Sequence, residues 1–296
     1  MKVFLIGSTG MLGQAIHDIF RDNGFSIVTC SRSNSHFNID LMHESEKLIA
    51  LIEKEKPNII INTVAMIDLL ECENSPEKAY ILNGRLPGQI ANICRKTKSY
   101  FIQISTDHYY IDDDKLQHDE ENPIYLINEY ARTKFIGETL SLNYKKSLVV
   151  RTNIIGFRNK KNSPTFIEWV FSTLEKNEEI NAFEDFYTSS IDVYHFSYIL
   201  MELIEKQVTG LINLASKNVL SKYEFILAIA KRLEKEHLVK KSSLQVINGI
   251  KRANSLGLNM NKLDSILTYN EVPSSKKIID VLCEKYKEGA MSGLST

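Results

Sequence analysis

Nowhere is this chain apolar over the roughly 18 residues that a membrane helix needs, and its first apolar run is only four residues, Val3 to Ile6. The expectation is neither an anchor nor a signal peptide. Cysteine is sparse: Cys30, Cys72, Cys94 and Cys283 are scattered without a C-x-x-C pair. No disulfide framework is indicated, and reduced thiols in the cytoplasm are expected. The seven histidines show no paired helical spacing, so no metal is expected either. Charge of neither sign is in excess, with 36 Lys and Arg against 37 Asp and Glu. That balance argues against the clustered basic footprint of a nucleic-acid binder. Internal repeats and low-complexity linkers are missing too. What remains is 296 residues, 43% of them hydrophobic, enough for one large α/β unit with a smaller appendage.

The most informative stretch comes first. Lys2 to Ile6 has strand length and character, Gly7-Ser8-Thr9-Gly10-Met11-Leu12-Gly13 breaks it, and a helical pattern follows from Ala15. Strand, glycine turn and helix in that order build a site for a diphosphate, because a helix N-terminus offers unpaired N–H groups and partial positive charge. Gly7 would allow the sharp turn, Gly10 the close approach of phosphate, and Gly13 close packing of helix on sheet. The spacing is Gly-x-x-Gly-x-x-Gly rather than Gly-x-Gly-x-x-Gly, and a glycine-rich turn is also ordinary loop chemistry. Its place after an N-terminal strand favours dinucleotide binding.

Strand and helix patterns then alternate to about residue 151. Phe25 to Cys30, Ile59 to Asn62, Tyr100 to Ile104 and Ser147 to Arg151 read as strands. Glu44 to Lys56, Pro76 to Lys96 (with a break near Gly84) and Tyr130 to Leu142 read as helices, and a polar, acidic loop runs through Glu121. Such alternation predicts an α/β, Rossmann-like doubly wound parallel sheet, with ligands beyond the carboxyl ends of its strands. Residues 1–151 are expected to bind the dinucleotide, with returns near 186–215. Residues 152–185 and 216–296 are expected to form a smaller C-terminal α/β substrate lobe. Helices are expected near Phe166 to Leu174, Val193 to Lys206 and Tyr223 to Leu238, with a strand at Leu211 to Leu214. Few periodicities follow Lys240, and the Gly/Ser-rich tail is expected to fray.

Ser105-Thr106-Asp107 ends one strand, and Tyr130 and Lys134 follow four apart on a helix, so both project from one face. A lysine ammonium beside tyrosine favours phenolate and lowers its pKa, suiting it to proton transfer. Roughly one Tyr-x-x-x-Lys is expected by chance in a chain this rich in both, and this chain has one. Position after a dinucleotide turn gives it weight. At the end of the second strand, Cys30-Ser31-Arg32-Ser33 lacks the acid that takes an NAD ribose 2′-hydroxyl. Ser31 and Arg32 could bind a 2′-phosphate instead. NADPH is therefore favoured, with NADH as the alternative and a merely solvated arginine as the bland reading.

These residues together resemble the extended short-chain dehydrogenase/reductases, and among them the dTDP-4-dehydrorhamnose reductase group. Pro57 to Ala65 is similar to that group's strand and Asn-Ala-Ala-Ala loop. Glu73, Ser75, Pro76 and Asn83 fall where it has an acid, a proline-led helix and an Asn. Ile104 to Tyr110 is similar to its Ser-Thr-Asp-Tyr-Val-Phe segment. Tyr130 to Lys134 with Gly137-Glu138 is similar to Tyr-Gly-x-x-Lys-x-x-Gly-Glu, Val150-Arg151-Thr152 to an Arg-Thr strand end, and Arg252 with Asn254-Ser255 to Arg-Pro-x-Asn-Ser. The resemblance implies a reductase of a nucleotide-linked 4-keto-6-deoxy sugar in deoxysugar or polysaccharide biosynthesis, with Thr106, Tyr130 and Lys134 catalytic. It implies that Gly7, Thr9, Gly10, Met11, Leu12, Gly13, Ser31, Arg32, Asp40, Leu41, Val64, Ala65, Ser105, Tyr130 and Lys134 hold the cofactor, and that His108, Arg151, Asn153 and Arg252 meet substrate. A helix cap is the competing reading of Asp40.

Departures fall in substrate-facing parts: Thr63-Val64 and Met66-Ile67 in the third loop, His108-Tyr109 for Tyr-Val, Glu184 to Ser190 without the group's Gly and Pro, and Ala253 for Pro. An epimerase retaining NAD and a non-catalytic cofactor-binding regulator are the alternatives on this scaffold. The expected partner is a nucleotide sugar, with no nucleic acid and no membrane, and a homodimer is left open.

Overall fold

Four central strands carry runs of three or more apolar residues, as strands buried on both faces do. The computed structural model, which describes residues 1–160, 163–244 and 250–289, places them at the centre of a seven-stranded parallel sheet. Its strands are β1 (Lys2–Ile6), β2 (Ser26–Ser31), β3 (Phe37–Asn38), β4 (Ile59–Asn62), β5 (Tyr100–Ile104), β6 (Ser147–Arg151) and β7 (Gly210–Asn213). The spatial order is β7-β6-β5-β4-β1-β2-β3, a Rossmann-like sheet that reverses direction of growth beside β1. Register aligns the carboxyl ends: Ile6 pairs with Cys30 and Asn62, Asn62 with Gln103, Ile104 with Val150, and Arg151 with Asn213. Side chains alternate across the sheet. Val3, Leu5, Ile61 and Ile102 therefore enter one core, while Phe4, Ile6, Ile60 and Phe101 enter the other.

The longer helices are α1 (Met11–Asp22), α2 (Ser45–Glu55), α3 (Leu86–Thr97), α4 (Glu129–Leu142), α5 (Phe166–Glu175), α6 (Val193–Glu205), α7 (Lys222–Arg232) and α8 (Ser275–Lys287). The expected break near Gly84 is a π-helical segment, Tyr80–Arg85, running unbroken into α3. It serves a contact: a Cβ on Gly137 of α4 would lie 2.0 Å from the Asn83 carbonyl oxygen. The helix expected to reach Leu238 stops at Arg232, because Glu234 takes φ 58° and the Lys235 N–H turns back to Ala230 O at 2.9 Å.

More structure follows residue 238 than periodicity suggested. Val239–Ser242 pairs with Ile180–Phe183, Ser255–Leu256 pairs with Tyr187–Thr188, and α8 closes the described chain. These strands are short and paired across long separations, so little local pattern marks them. The residues of the tail from 290 lie outside the described residues. The acidic loop after β5 has little regular structure but is well anchored. His118 donates its N–H to Gly257 O at 2.9 Å and stacks on Tyr110 with centroids 3.8 Å apart, and the Asn213 N–H donates to Glu120 Oε1 at 2.7 Å. Among the described residues no helix is long and apolar enough to cross a membrane, and no group of three His, Cys, Asp or Glu could hold a metal.

Candidate active site

The turn after β1 is shaped for an anion. Gly7 takes φ +88°, and a Cβ there would meet Thr63 Oγ1 at 2.4 Å. At Gly13 a Cβ would lie 2.1 Å from Gly7 O and 2.8 Å from Ser8 Cα, the backbone that follows β1 directly. Helix α1 must therefore lie against its own turn. Gly10 is the N-cap of α1, no side chain caps the helix, and the first turn holds no acid. The N–H groups of Met11, Leu12 and Gly13 remain to be satisfied by a ligand. Ser8 Oγ is buried without a hydrogen-bond partner beside Thr9. A cleft of about 430 Å³ opens there, lined by Ser8, Thr9, Gln14, Ser33, Asn34 and Arg158 among others. An orphaned hydroxyl, a glycine cradle and an uncapped helix fit a dinucleotide diphosphate. A larger cavity of about 880 Å³, lined by Lys115, Lys217 and Arg232 among others, contains no residue of the expected site.

The second and third strand ends complete the rim. Arg32 is exposed at the end of β2, with its guanidinium available. Ser31 is buried and its hydroxyl donates to Ser33 O at 2.6 Å, so its proton belongs to the turn rather than to a 2′-phosphate. Asp40 caps a turn, accepting the Met42 N–H at 3.0 Å, and it is not the N-cap of α2, which is Glu44. Leu41 is buried beside it. After β4, the Asn62 side chain donates to Gln103 Oε1 at 2.8 Å and accepts the Val64 N–H at 3.1 Å, which fixes the path through Val64 and Ala65. Asn83 then clasps Met66 with two hydrogen bonds, N–H to Oδ1 at 2.8 Å and Nδ2 to O at 2.9 Å, and reaches Thr133 of α4 at 3.2 Å.

The residues expected to be catalytic stand where β5 ends. Asn128 caps α4 through the Ala131 N–H and donates to Lys251 O at 3.0 Å, so the helix start is tied to the segment before Arg252. One turn apart on α4, Tyr130 lies beside the Thr106 hydroxyl and Lys134 reaches the Ile104 carbonyl. Burial pushes the Tyr130 hydroxyl above the usual tyrosine range, the Thr106 hydroxyl beside it draws it down, and the Asp107 carboxylate raises it. The expected depression by Lys134 is not found: that ammonium donates to Ile104 O at 2.8 Å, and desolvation brings its own pKa down to about 8. With three donors on an ammonium, others stay available to ribose hydroxyls.

Ser105 does not present its hydroxyl to the cleft, since it donates to Glu138 Oε1 at 2.5 Å. That same carboxylate removes Arg151 from substrate binding. Arg151 is 3% exposed, with Nε 3.2 Å from both Glu138 oxygens, Nη2 2.9 Å from Oε2, and its guanidinium 5.0 Å from the Tyr109 ring centre. A buried arginine so paired is a strut beneath the site.

The remaining expected residues do converge. His108 packs edge-on to Tyr130 with centroids 5.7 Å apart, its Nδ1 unpartnered. Burial, with Arg252 adding to it, lowers its pKa to about 4, so the ring is neutral. Asn153 accepts the Ser190 hydroxyl at 2.7 Å and steadies Asp107. Arg252 is exposed at the mouth. Two groups had no role assigned from the sequence. Asp107 is 2% exposed with Oδ2 unpartnered, and burial raises its carboxyl to about 7. Lys222 is close enough to attract that carboxylate. The Ser221-x-x-Glu224 capping box signals a helix start there, but nothing local says that its first residue faces residue 107.

Comparison with known proteins bears on this arrangement. The chain matches the family described as RmlD substrate binding domain over residues 1–284. It is 26% identical over 233 residues to a probable low-salt glycan biosynthesis reductase of Haloferax volcanii, covering 76% of this chain and 78% of that one. It is 25% identical over 276 residues to methionine adenosyltransferase 2 subunit beta of Pongo abelii, covering 90% and 82%. The fold is shared with a dTDP-4-dehydrorhamnose reductase from Bacillus anthracis solved in complex with NADP, at TM-score 0.84, 20% identity, and 96% and 99% coverage. Glycine turn, Thr106, Tyr130 and Lys134 thus stand on a scaffold matched almost from end to end, and this chain belongs to the RmlD substrate binding domain family.

Proposed function

We propose that this protein is an NADPH-dependent reductase of a nucleotide-linked 4-keto-6-deoxy sugar, an extended short-chain dehydrogenase/reductase acting in deoxysugar or polysaccharide biosynthesis. The observation that carries the reading is the convergence of Thr106, Tyr130 and Lys134 at the carboxyl end of β5, on the rim shared with the glycine turn. Gly7 to Gly13, Arg32, Val64, Ala65 and Lys134 would hold NADPH, which supplies a hydride when bound. Tyr130 then donates its phenolic proton to the oxygen of the reduced carbonyl, and the Thr106 hydroxyl orients that oxygen. A tyrosine pushed upward by burial keeps its proton at neutral pH, as an acid must. Residues 1–151 with 186–215 would serve the cofactor, and residues 152–185 and 216–296 the sugar nucleotide.

The glycan reductase among the relatives supports this chemistry, and the NADP bound by the Bacillus anthracis protein supports the cofactor. The test is stoichiometry. Purified protein given dTDP-4-dehydrorhamnose should bind NADPH exchangeably and oxidise one NADPH per sugar reduced. Retained NAD with isomerised sugar and no net oxidation would favour an epimerase. Tight NADPH binding without turnover of any 4-keto sugar nucleotide would favour a regulatory protein.

A further inference from the structure

We propose that Lys222 is a specificity-determining residue whose ammonium, assisted by Arg252, seats an oxyanion of the substrate next to the reacting hydroxyls: a phosphoryl group of the nucleotide or an acidic substituent on the sugar. This rests on the reading that the site takes a nucleotide sugar.

Lys222 is the first residue of α7 and is held in place at both ends. Its N–H donates to Phe186 O at 3.0 Å, and Ser221 and Glu224 close a capping box around it. Its Nζ lies 4.5 Å from the Phe166 ring centre and 5.7 Å from that of Phe186. Among the described residues its ammonium makes one hydrogen bond, to Thr188 Oγ1 at a long 3.5 Å. An ammonium has three donors, and among the described residues no carboxylate stands within 4 Å of this one. The Thr188 hydroxyl meets Ser190 Oγ at 3.1 Å, Ser190 donates to Asn153 Oδ1 at 2.7 Å, and Asn153 steadies Asp107, neighbour of Thr106. A polar path therefore joins the lysine to the reacting centre.

Charge around this path does not balance. Lys222 and Arg252 are close enough to repel, and Asp107 is the one carboxylate that attracts Lys222. Desolvation brings the Lys222 ammonium down to about 8, so it stays largely charged at neutral pH. Two cations against one carboxyl leave an excess positive charge in surroundings partly stripped of water, which an incoming oxyanion would neutralise.

Binding to the NADP-saturated full-length protein separates the two sources. Calorimetric titration of dTDP, UDP, UDP-glucose and UDP-glucuronate is compared for wild type, Lys222→Met and Lys222→Arg, with NADPH affinity and melting temperature confirming that each variant folds. A phosphoryl seat predicts that Lys222→Met weakens dTDP and UDP at least tenfold, with Lys222→Arg recovering most of it. An acid seat on the sugar predicts unchanged dTDP and UDP, with a tenfold preference for UDP-glucuronate over UDP-glucose that Lys222→Met abolishes. Less than twofold change for every ligand, or no binding of any of them to wild type, overturns the proposal. Failure to oxidise NADPH with a 4-keto sugar while these binding differences persist would instead count against the reductase reading alone.

Discussion

A single hydroxyl carries most of the proposed chemistry. Tyr130→Phe removes the transferable proton and leaves the ring packed against His108 and the cluster of Met66, Cys72 and Ala79. Turnover should fall by roughly a hundredfold or more, in line with the loss of a general acid, while NADPH affinity stays within about twofold. Near-normal turnover in steady-state kinetics would exclude Tyr130 as the acid. On the proposed reading, cofactor choice rests on Arg32. Arg32→Asp should weaken NADPH and shift preference toward NADH, because a carboxylate repels the 2′-phosphate yet accepts a 2′-hydroxyl; an unchanged ratio of kcat/KM values would make Arg32 a bystander. Arg151 belongs to stability. Arg151→Met leaves the Glu138 charge buried without its partner and should cost about 3–5 kcal/mol in urea denaturation. Adding Glu138→Gln should restore part of that loss. If the double variant is no more stable than the single one, the strut account is wrong.

At the scale of elements, the meeting of α4 with the π-helical segment positions the chemistry. Asn83 hydrogen-bonds the Met66 backbone and Thr133, while Gly137 admits the Asn83 carbonyl. In Gly137→Ala a methyl would fall 2.0 Å from that oxygen, so α4 must shift, and with it Tyr130 two turns away. A loss of about 1–3 kcal/mol is expected from such overpacking, together with a kcat decrease larger than the change in NADPH affinity. A variant with wild-type kcat would show that the contact does not position Tyr130. The same scale explains what the sequence disclosed. Strands β1, β4, β5 and β6 read clearly because burial on both faces leaves unbroken apolar runs, and the glycine turn, Thr106, Tyr130 and Lys134 lie next to such runs. Helix Leu69–Asn74 escaped, being acid-rich and short with an Asp68 cap as its one local sign. Arg151 was assigned outward because its partner Glu138 sits 13 residues earlier on another element, and Lys222 went unassigned because only tertiary folding brings it toward Asp107.

At the scale of the whole molecule, one buried carboxyl should shape stability against pH. Asp107 holds its proton to about pH 7 in the folded protein, against 3.8 as its ordinary value. Between those limits the folded state binds more protons than the unfolded state, so its contribution to stability declines as pH rises from about 4 to 7. Asp107→Asn removes that dependence. Relative to wild type, the variant should gain stability across this window, by something on the order of a few kcal/mol, in denaturation series at pH 4 and pH 8. A constant difference between the two proteins would show that Asp107 titrates alike in both states.

Net reduction of a sugar carbonyl leaves an isotopic signature, because the hydride that NADPH gives up stays on the product. The protein is incubated with dTDP-4-dehydrorhamnose and NADPH carrying deuterium at the transferable position of the nicotinamide, and the product is analysed by mass spectrometry and NMR. Reduction predicts a product sugar heavier by a single deuterium, located on carbon 4, with one oxidised cofactor for each labelled sugar. An isomerised or unaltered sugar free of deuterium, with the NADPH intact, would contradict it.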